Sequence, residues 1–118
     1  MINTKSTNPV LKDLLRDLEE KGRKESAEIW KEVAGYLKSG GKRAEVNLSK
    51  IDRNSGEEDF ILVPGKVLGA GSLTKEVKVA AFDFTKSARD SIEEEGETLS
   101  IKQLMEQKPS GEGVKILR

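Results

Sequence analysis

The 118-residue sequence predicts an α/β fold, a small mixed sheet covered by helices. Two observations support this class. Apolar residues recur at helical spacing through the N-terminal part of the chain, and from Ala44 their period changes to two, which is typical of strands. The length favours a single domain, residues 1–118, with a helical N-terminal extension at 8–40 and an α/β core at 42–118.

Two amphipathic helices are predicted in the N-terminal extension. Asn8 can cap the first helix, Pro9 fits its first position, and Gly22 is expected to end it. The second helix is expected to start at Ser26 and to stop at Gly40-Gly41. Each helix has an apolar stripe that is predicted to face a core, and these stripes include Leu11, Leu18, Trp30, Val33 and Leu37.

Three strands are predicted in the middle of the chain. In the first, Val46 and Leu48 alternate with polar residues. The second is the continuous apolar run at residues 60–63, which Pro64 is expected to end. The third covers residues 77–84.

Two helices and a last strand are predicted to complete the fold. Thr85 is expected to cap a helix that continues through Glu95. Ser100 and Gln103 have the spacing of a capping box, which predicts a short helix after Ser100. Residues 114–117 are predicted to form a short final strand.

The composition excludes several classes of chemistry. Lysine and arginine total 21 and aspartate and glutamate also total 21, so the formal net charge is zero and any electrostatic function must be local. Without cysteine there are no disulfides or thiolate metal sites, and without histidine the commonest general base is missing. We therefore predict no catalytic residues, no metal site and no cofactor. No apolar run is long enough to span a membrane, and we expect a cytoplasmic protein.

A glycine-rich segment at residues 64–73 lies between two apolar runs. Its three glycines permit positive φ and close approach of another molecule to the main chain, while Lys66, Lys75 and Lys78 supply positive charge nearby. This combination indicates an anionic partner, and the alternative interpretation is an ordinary turn. The segment matches neither the nucleotide P-loop nor the dinucleotide fingerprint, which argues against a small nucleotide-dependent enzyme.

Residues 38–53 form a second candidate region because they carry five basic and two acidic side chains. On an alternating strand, Arg43, Glu45, Asn47 and Ser49 would share one face. Asn47 and Ser49 could then hydrogen-bond phosphate or ribose oxygens beside the cations. The alternative interpretation is an ordinary solvated face.

Three strings in order, residues 43–51, 63–71 and 77–82, closely resemble the archaeal and eukaryotic large-subunit ribosomal protein of the eighteen-e family. Residues 7–11 and 114–118 are similar to that family as well, so the resemblance covers essentially the whole chain. The shortness of the chain, without a long basic tail, resembles the archaeal members. The resemblance implies an irregular β-β-α superhelical core, shared with the C-terminal part of bacterial large-subunit protein fifteen.

The resemblance also implies a function. We expect a non-enzymatic structural constituent of the large ribosomal subunit that binds large-subunit ribosomal RNA and lies beside other ribosomal proteins. By the same resemblance, the cations expected to contact phosphates are Lys42, Arg43, Lys50, Arg53, Lys66, Lys75 and Lys78. Further hydrogen bonds to RNA are expected from Asn47, from Ser72 and from the backbone at Gly65, Gly69 and Gly71. The alternative is a free-standing protein-interaction module that uses the amphipathic N-terminal helices.

Overall fold

The computed structural model describes residues 9–38, 43–57 and 59–118. Its helices are α1 (Pro9–Lys24), α2 (Glu28–Lys38), α3 (Leu48–Arg53), α4 (Lys86–Glu93) and α5 (Ile101–Gln107). Its strands are β1 (Ala44–Asn47), β2 (Phe60–Leu68), β3 (Lys78–Phe84), β4 (Glu97–Ser100) and β5 (Val114–Ile116). The predicted α/β class, with two helices before the sheet, is confirmed. The predicted cap at Asn8, the predicted helix end at Gly40-Gly41 and the candidate site residue Lys42 lie outside the described residues.

Strand β2 is the centre of the sheet. It pairs with β3 along one edge, from Phe60 opposite Lys78 onward. Its other edge is shared, because β5 pairs with the first residues of β2 and β1 pairs with the last four. β4 extends the sheet beyond β3, and all four pairings are parallel. The carboxyl ends of the strands therefore meet at one edge of the sheet.

The sheet separates two hydrophobic clusters, so it is buried on both faces. Helices α1, α2 and α5 cover one face, where Leu62 and Ala80 meet the fully buried Trp30. Helices α3 and α4 cover the other face, where they pack on Ile61 and Val79. The indole N–H of Trp30 also donates to the carbonyl of Pro109 at 2.6 Å, which ties α2 to the C-terminal segment.

The end of α1 differs from the prediction. The helix continues through Gly22 to Lys24, and the left-handed residue is Ser26, with φ of 53°. The N–H of Ala27 closes the helix on the Gly22 carbonyl at 2.9 Å, so Ser26 belongs to this cap and not to the start of α2. Gly22 serves helix packing instead, since a Cβ there would lie 2.8 Å from the Cγ of Lys31.

The first strand is shorter than predicted. β1 ends at Asn47, and the next residues form α3, in which Leu48 and Ile51 are buried at helical spacing. Alternation of apolar and polar residues at 46–49 is compatible with a strand, but the spacing of Leu48 and Ile51 fits one turn of helix as well. The prediction that Ser49 shares a strand face with Arg43 is therefore wrong.

The second strand is longer than predicted, because Pro64 does not end it. β2 continues to Leu68, and its register against β3 shifts between Val63 and Lys66. A proline, which lacks an N–H donor, is tolerated at such an irregularity. Gly65 follows as a buried residue paired with Ala44, and a Cβ on Gly65 would overlap the Ala44 carbonyl.

The C-terminal half follows the sequence patterns closely. Thr85 caps α4 by accepting the N–H of Ala88 at 3.2 Å, although α4 ends at Glu93, two residues before the predicted end. Ser100 and Gln103 form the predicted capping box at the start of α5. The third and last predicted strands are confirmed as β3 and β5. The missed strand is β4, which has one buried residue and thus no readable alternation.

We expect Gly65→Ala to destabilise the fold and Gly35→Ala, its matched control, to stabilise it. A methyl group at 65 forces β1 and β2 apart, which costs about 1–3 kcal/mol of unfolding free energy. A methyl group at 35, inside α2, meets nothing within 4 Å and should add about 0.5–1 kcal/mol. Urea denaturation of both variants measures the difference. Equal stability of the two would contradict the tight β1–β2 contact.

Candidate nucleic-acid interface

The connecting loop, residues 69–77, joins β2 to β3 and runs along α3. At one end the N–H of Ser49 donates to the Ala70 carbonyl at 3.3 Å. Gly71, with φ of 92°, lies so close that a Cβ there would be 2.7 Å from the Cβ of Ser49. At the other end the N–H of Thr74 donates to the carboxylate of Asp52 at 2.8 Å. We call the surface formed by Asn47, α3 and the connecting loop the helix–loop surface.

Three predicted cations lie on the helix–loop surface. Arg53 is exposed, and no partner for its side chain lies in the part of the chain that the structure describes. The Nζ of Lys50 donates to a main-chain oxygen of Arg118 at 2.5 Å. The Nζ of Lys75 donates to the carbonyls of Asp52 and Ser55 at 2.6 and 2.8 Å. Neither ammonium group forms an ion pair with a carboxylate side chain of the described residues, although Lys75 lies close enough to the carboxylates of Asp52 and Asp59 to interact with their charge.

The predicted polar contacts on this surface are also well placed. Asn47 directly precedes α3, and its side chain makes no capping hydrogen bond. Ser72 is exposed at the outer side of the connecting loop. Gly71 is exposed too, whereas Gly69 packs against α4, where a Cβ would overlap the Ser87 hydroxyl. Of the three glycines singled out in the sequence, only Gly71 has positive φ, and each has a close neighbour within the protein.

Two predicted cations lie on the opposite face of the sheet. Lys66 neighbours Val67, whose side chain packs under α3 and α4, so the Lys66 side chain points away from those helices. In the ladder, Lys66 stands between Glu45 on β1 and Asp83 on β3. The guanidinium of Arg43 lies 5.1 Å from the centre of the Phe82 ring on this face. The structure therefore separates Arg43 and Lys66 from the helix–loop surface.

The remaining predicted residues, Lys78 and Gly65, lie elsewhere. Lys78 starts β3 at the amino edge of the sheet, with its Nζ 5.2 Å from the centre of the Phe60 ring. Lys108, which sequence reasoning missed, covers the same ring at 4.7 Å. No sequence pattern links Lys108 to Phe60, because only the tertiary fold brings them together. Gly65 is buried inside β2 and its nearest neighbour is β1.

Ion pairing divides the cations of the protein into two groups. Seven cations pair with carboxylates at 2.7 to 3.8 Å, and they lie on α1, α2, α4, α5 and β5: Arg16, Lys31, Lys38, Lys86, Arg89, Lys102 and Lys115. Within the described residues, none of the predicted site cations forms such a pair, whether on the helix–loop surface or on the sheet. The ion pairs of the described residues therefore spare the predicted site cations, although cations elsewhere also form no such pair, among them Lys12, Lys21, Arg23, Lys24 and Lys108.

Two carboxylates brace this region. The N–H of Thr74, and then its hydroxyl, hold the pKa of Asp52 below its ordinary range. The N–H of Gly56, and then the ammonium of Lys115 at 3.2 Å, do the same for the pKa of Asp59 just before β2. Both carboxylates therefore accept hydrogen bonds in the ionised form.

The described ranges, 9–38, 43–57 and 59–118, contain no cluster of three or more carboxylates suited to a metal ion. None of their helices combines the length and the apolar character that crossing a membrane requires.

Comparison with known proteins places the chain in a class and then among particular relatives. The family described as "Ribosomal proteins 50S-L15, 50S-L18e, 60S-L27A" matches residues 14–97, and the chain belongs to this family of ribosomal proteins. The protein named "Large ribosomal subunit protein eL18" from Methanococcus maripaludis is 48% identical over 114 residues, covering 95% of each chain. The proteins of the same name from Methanothermobacter thermautotrophicus and Haloarcula marismortui are 46% and 42% identical, over 94% and 95% of this chain and 93% and 97% of their own.

These similarities confirm the family expected from the sequence, with archaeal members as relatives. They also confirm the predicted class of function, a structural, non-enzymatic component of the large ribosomal subunit.

We expect Asp59→Asn to destabilise the protein at neutral pH and to lose this effect in acid. The folded pKa of Asp59 lies below its ordinary value of 3.8. The contribution of Asp59 to the unfolding free energy is therefore complete above pH 3.8 and disappears as the pH falls through the folded pKa. Urea unfolding of wild type and variant over a pH series measures the difference. The control Glu112→Gln, which changes an exposed carboxylate, should leave the unfolding free energy at neutral pH unchanged. A difference that persists undiminished in acid would contradict the role of Asp59.

Proposed function

We propose that the protein binds large-subunit ribosomal RNA mainly through the helix–loop surface. Lys50, Arg53 and Lys75 contact phosphates there, while Asn47 and Ser72 donate hydrogen bonds to phosphate or ribose oxygens. The exposed backbone at Gly71, with that of Gly69 beside it, adds main-chain groups. Arg43 and Lys66 form a second contact on the other face of the sheet, and Lys78 a third at its amino edge.

The observation that carries this proposal is the separation of charge. The seven cations that pair with carboxylate side chains all lie outside the predicted site, whereas on the helix–loop surface Lys50 and Lys75 donate to main-chain oxygens and Arg53 has no partner among the described residues. A cation that is held in place but not neutralised attracts an anionic polymer and releases its counterions on binding. Orientation by carbonyls also means that less side-chain entropy is lost when Lys50 and Lys75 meet RNA.

The glycine backbone has a smaller part in the proposal than the sequence suggested. Gly65 is left out of the contact surface because it is buried. The Ala44 carbonyl occupies the space that a side chain at position 65 would need. At position 69 a side chain would overlap the Ser87 hydroxyl, so glycine is required there by packing within the protein. Side chains on the helix–loop surface therefore carry most of the proposed affinity.

The alternative of a free-standing interaction module rested on the amphipathic N-terminal helices. Their apolar stripes are used inside the protein, since Leu18 and Trp30 have no exposed surface and pack with Leu62 and Leu104 in one cluster. Exposed large apolar side chains are limited to Val10 among the described residues. The N-terminal helices thus offer little apolar area to a partner, which favours the RNA-binding proposal.

We expect Arg53→Gln to weaken binding to a large-subunit ribosomal RNA fragment. Loss of one phosphate contact should cost about threefold in affinity at low salt and lower the log–log salt slope by about one unit. The matched control is Lys86→Gln, which removes the same charge from α4, where Lys86 pairs with Asp90 at 3.1 Å. The control should retain the wild-type affinity and slope. Filter binding or fluorescence anisotropy over a salt series provides both quantities.

Two results would contradict the proposal. A wild-type affinity that does not change with salt would exclude phosphate contacts as its source. Equal losses in Arg53→Gln and Lys86→Gln would mean that the total charge matters and the helix–loop surface does not.

A further inference from the structure

A negative charge lies within the proposed helix–loop surface. Asp52 lies near the C-terminal end of α3 and directly precedes Arg53. Its main-chain carbonyl accepts a hydrogen bond from the Nζ of Lys75. Its carboxylate is part of the surface that would face RNA phosphates. By charge alone, Asp52 should weaken RNA binding, and its removal should strengthen it.

The hydrogen bonds of Asp52 indicate a different effect. One carboxylate oxygen accepts both the main-chain N–H of Thr74, at 2.8 Å, and its hydroxyl, at 2.9 Å. The other oxygen lies 3.2 Å from the same hydroxyl. Thr74 is exposed and follows the half-buried Leu73, so Asp52 fixes the part of the connecting loop that faces solvent. Hydrogen bonds to an ionised group are the stronger kind.

The position of this clamp determines what it holds. Thr74 lies between Ser72 and Lys75, two residues of the proposed RNA surface. Upstream, the loop is fixed to α3 where Ser49 donates to Ala70. Downstream, the N–H of Glu76 donates to the Glu57 carboxylate at 3.1 Å. Without the Asp52 clamp, the middle of the loop would be held by Lys75 and Leu73 alone.

We infer that Asp52 is a positioning residue for RNA binding, which holds the connecting loop against α3 in the shape that RNA recognises. This inference rests on the proposed function of the helix–loop surface. A clamped loop is preformed, so binding does not have to supply its ordering free energy. When the clamp is lost, the apparent affinity falls by the fraction of molecules whose loop retains the binding shape.

The inference and the charge argument differ in sign, which makes Asp52→Ala decisive. If positioning dominates, we expect RNA affinity to fall by about three- to tenfold, although a negative charge has been removed. If charge dominates, affinity should rise by about twofold. The matched control is Glu76→Ala in the same loop, whose carboxylate has no partner in the described part of the chain. That variant should bind RNA as well as wild type or better.

The salt dependence separates positioning from loss of a contact. Asp52→Ala retains every proposed phosphate contact once bound, so its log–log salt plot should run parallel to that of wild type at lower affinity. Arg53→Gln, by contrast, should change the slope. Anisotropy titrations of all variants against the same large-subunit ribosomal RNA fragment provide the comparison.

A second pair of variants tests the inference even if Asp52→Ala does not fold. Thr74→Val removes the hydroxyl that donates a hydrogen bond to Asp52, while Thr74→Ser retains it. Thr74 is exposed and lies outside both hydrophobic clusters, so both variants should fold. We expect weaker RNA binding for Thr74→Val and wild-type binding for Thr74→Ser. Amide hydrogen exchange of the free proteins should be faster in the connecting loop of Asp52→Ala and Thr74→Val, with β2 and β3 still protected.

The outcomes are distinguishable from those that test the proposed function. If wild type does not bind the RNA fragment, the proposed function fails and with it this inference. If wild type binds but Asp52→Ala binds equally or more tightly, the inference alone is overturned. Unchanged binding by Thr74→Val also overturns it. Weaker binding by Asp52→Ala and Thr74→Val, with parallel salt plots and rescue by Thr74→Ser, supports it.

Discussion

The structure depends on the burial of β2 on both faces and along both edges. Its side chains alternate between the two hydrophobic clusters, with Leu62 under α1, α2 and α5 and with Ile61 and Val63 under α3 and α4. Parallel pairing with β3 then forces the chain to leave β2 at one edge of the sheet and return to the other. Nine strand residues cover about 30 Å, and the nine-residue connecting loop has little slack for that return, since an extended chain advances about 3.3–3.6 Å per residue. The loop therefore follows a nearly direct path along α3, which produces the helix–loop surface.

Zero net charge conceals an uneven distribution of charge. On the helices away from the candidate region, several cations pair with carboxylates at the surface, and each exposed pair adds little to stability. On the helix–loop surface, main-chain oxygens orient Lys50 and Lys75, and neither forms an ion pair with a carboxylate side chain of the described residues. Carboxylates in this region have another use, because Asp52 and Asp59 accept hydrogen bonds that fix loops. A count of charges along the sequence cannot distinguish these roles.

The glycines of residues 64–73 show the same limit of local interpretation. Their number indicates that something approaches the main chain closely, and this part of the expectation holds. The approaching groups, however, belong to the protein itself: Ala44 at Gly65, Ser87 at Gly69 and Ser49 at Gly71. Each neighbour is brought close by tertiary packing, so the missing side chains serve contacts within the protein. The contribution of this segment to the candidate site is to place Ser72 and Lys75 at the surface.

The sequence by itself determined the α/β class, the helix caps at Thr85 and Ser100, the buried position of Trp30 and membership of a ribosomal protein family. These features depend on hydrophobic period, on hydrogen bonds between near neighbours and on strings that occur in order, all of which are local. Tertiary structure alone decided that residues 48–53 form a helix, that Pro64 lies within a strand and that Arg43 and Lys66 face away from Lys75. It also revealed the Asp52 clamp. These features arise from contacts between residues about twenty or more positions apart, whose energies exceed local preferences and leave no periodic trace in the sequence.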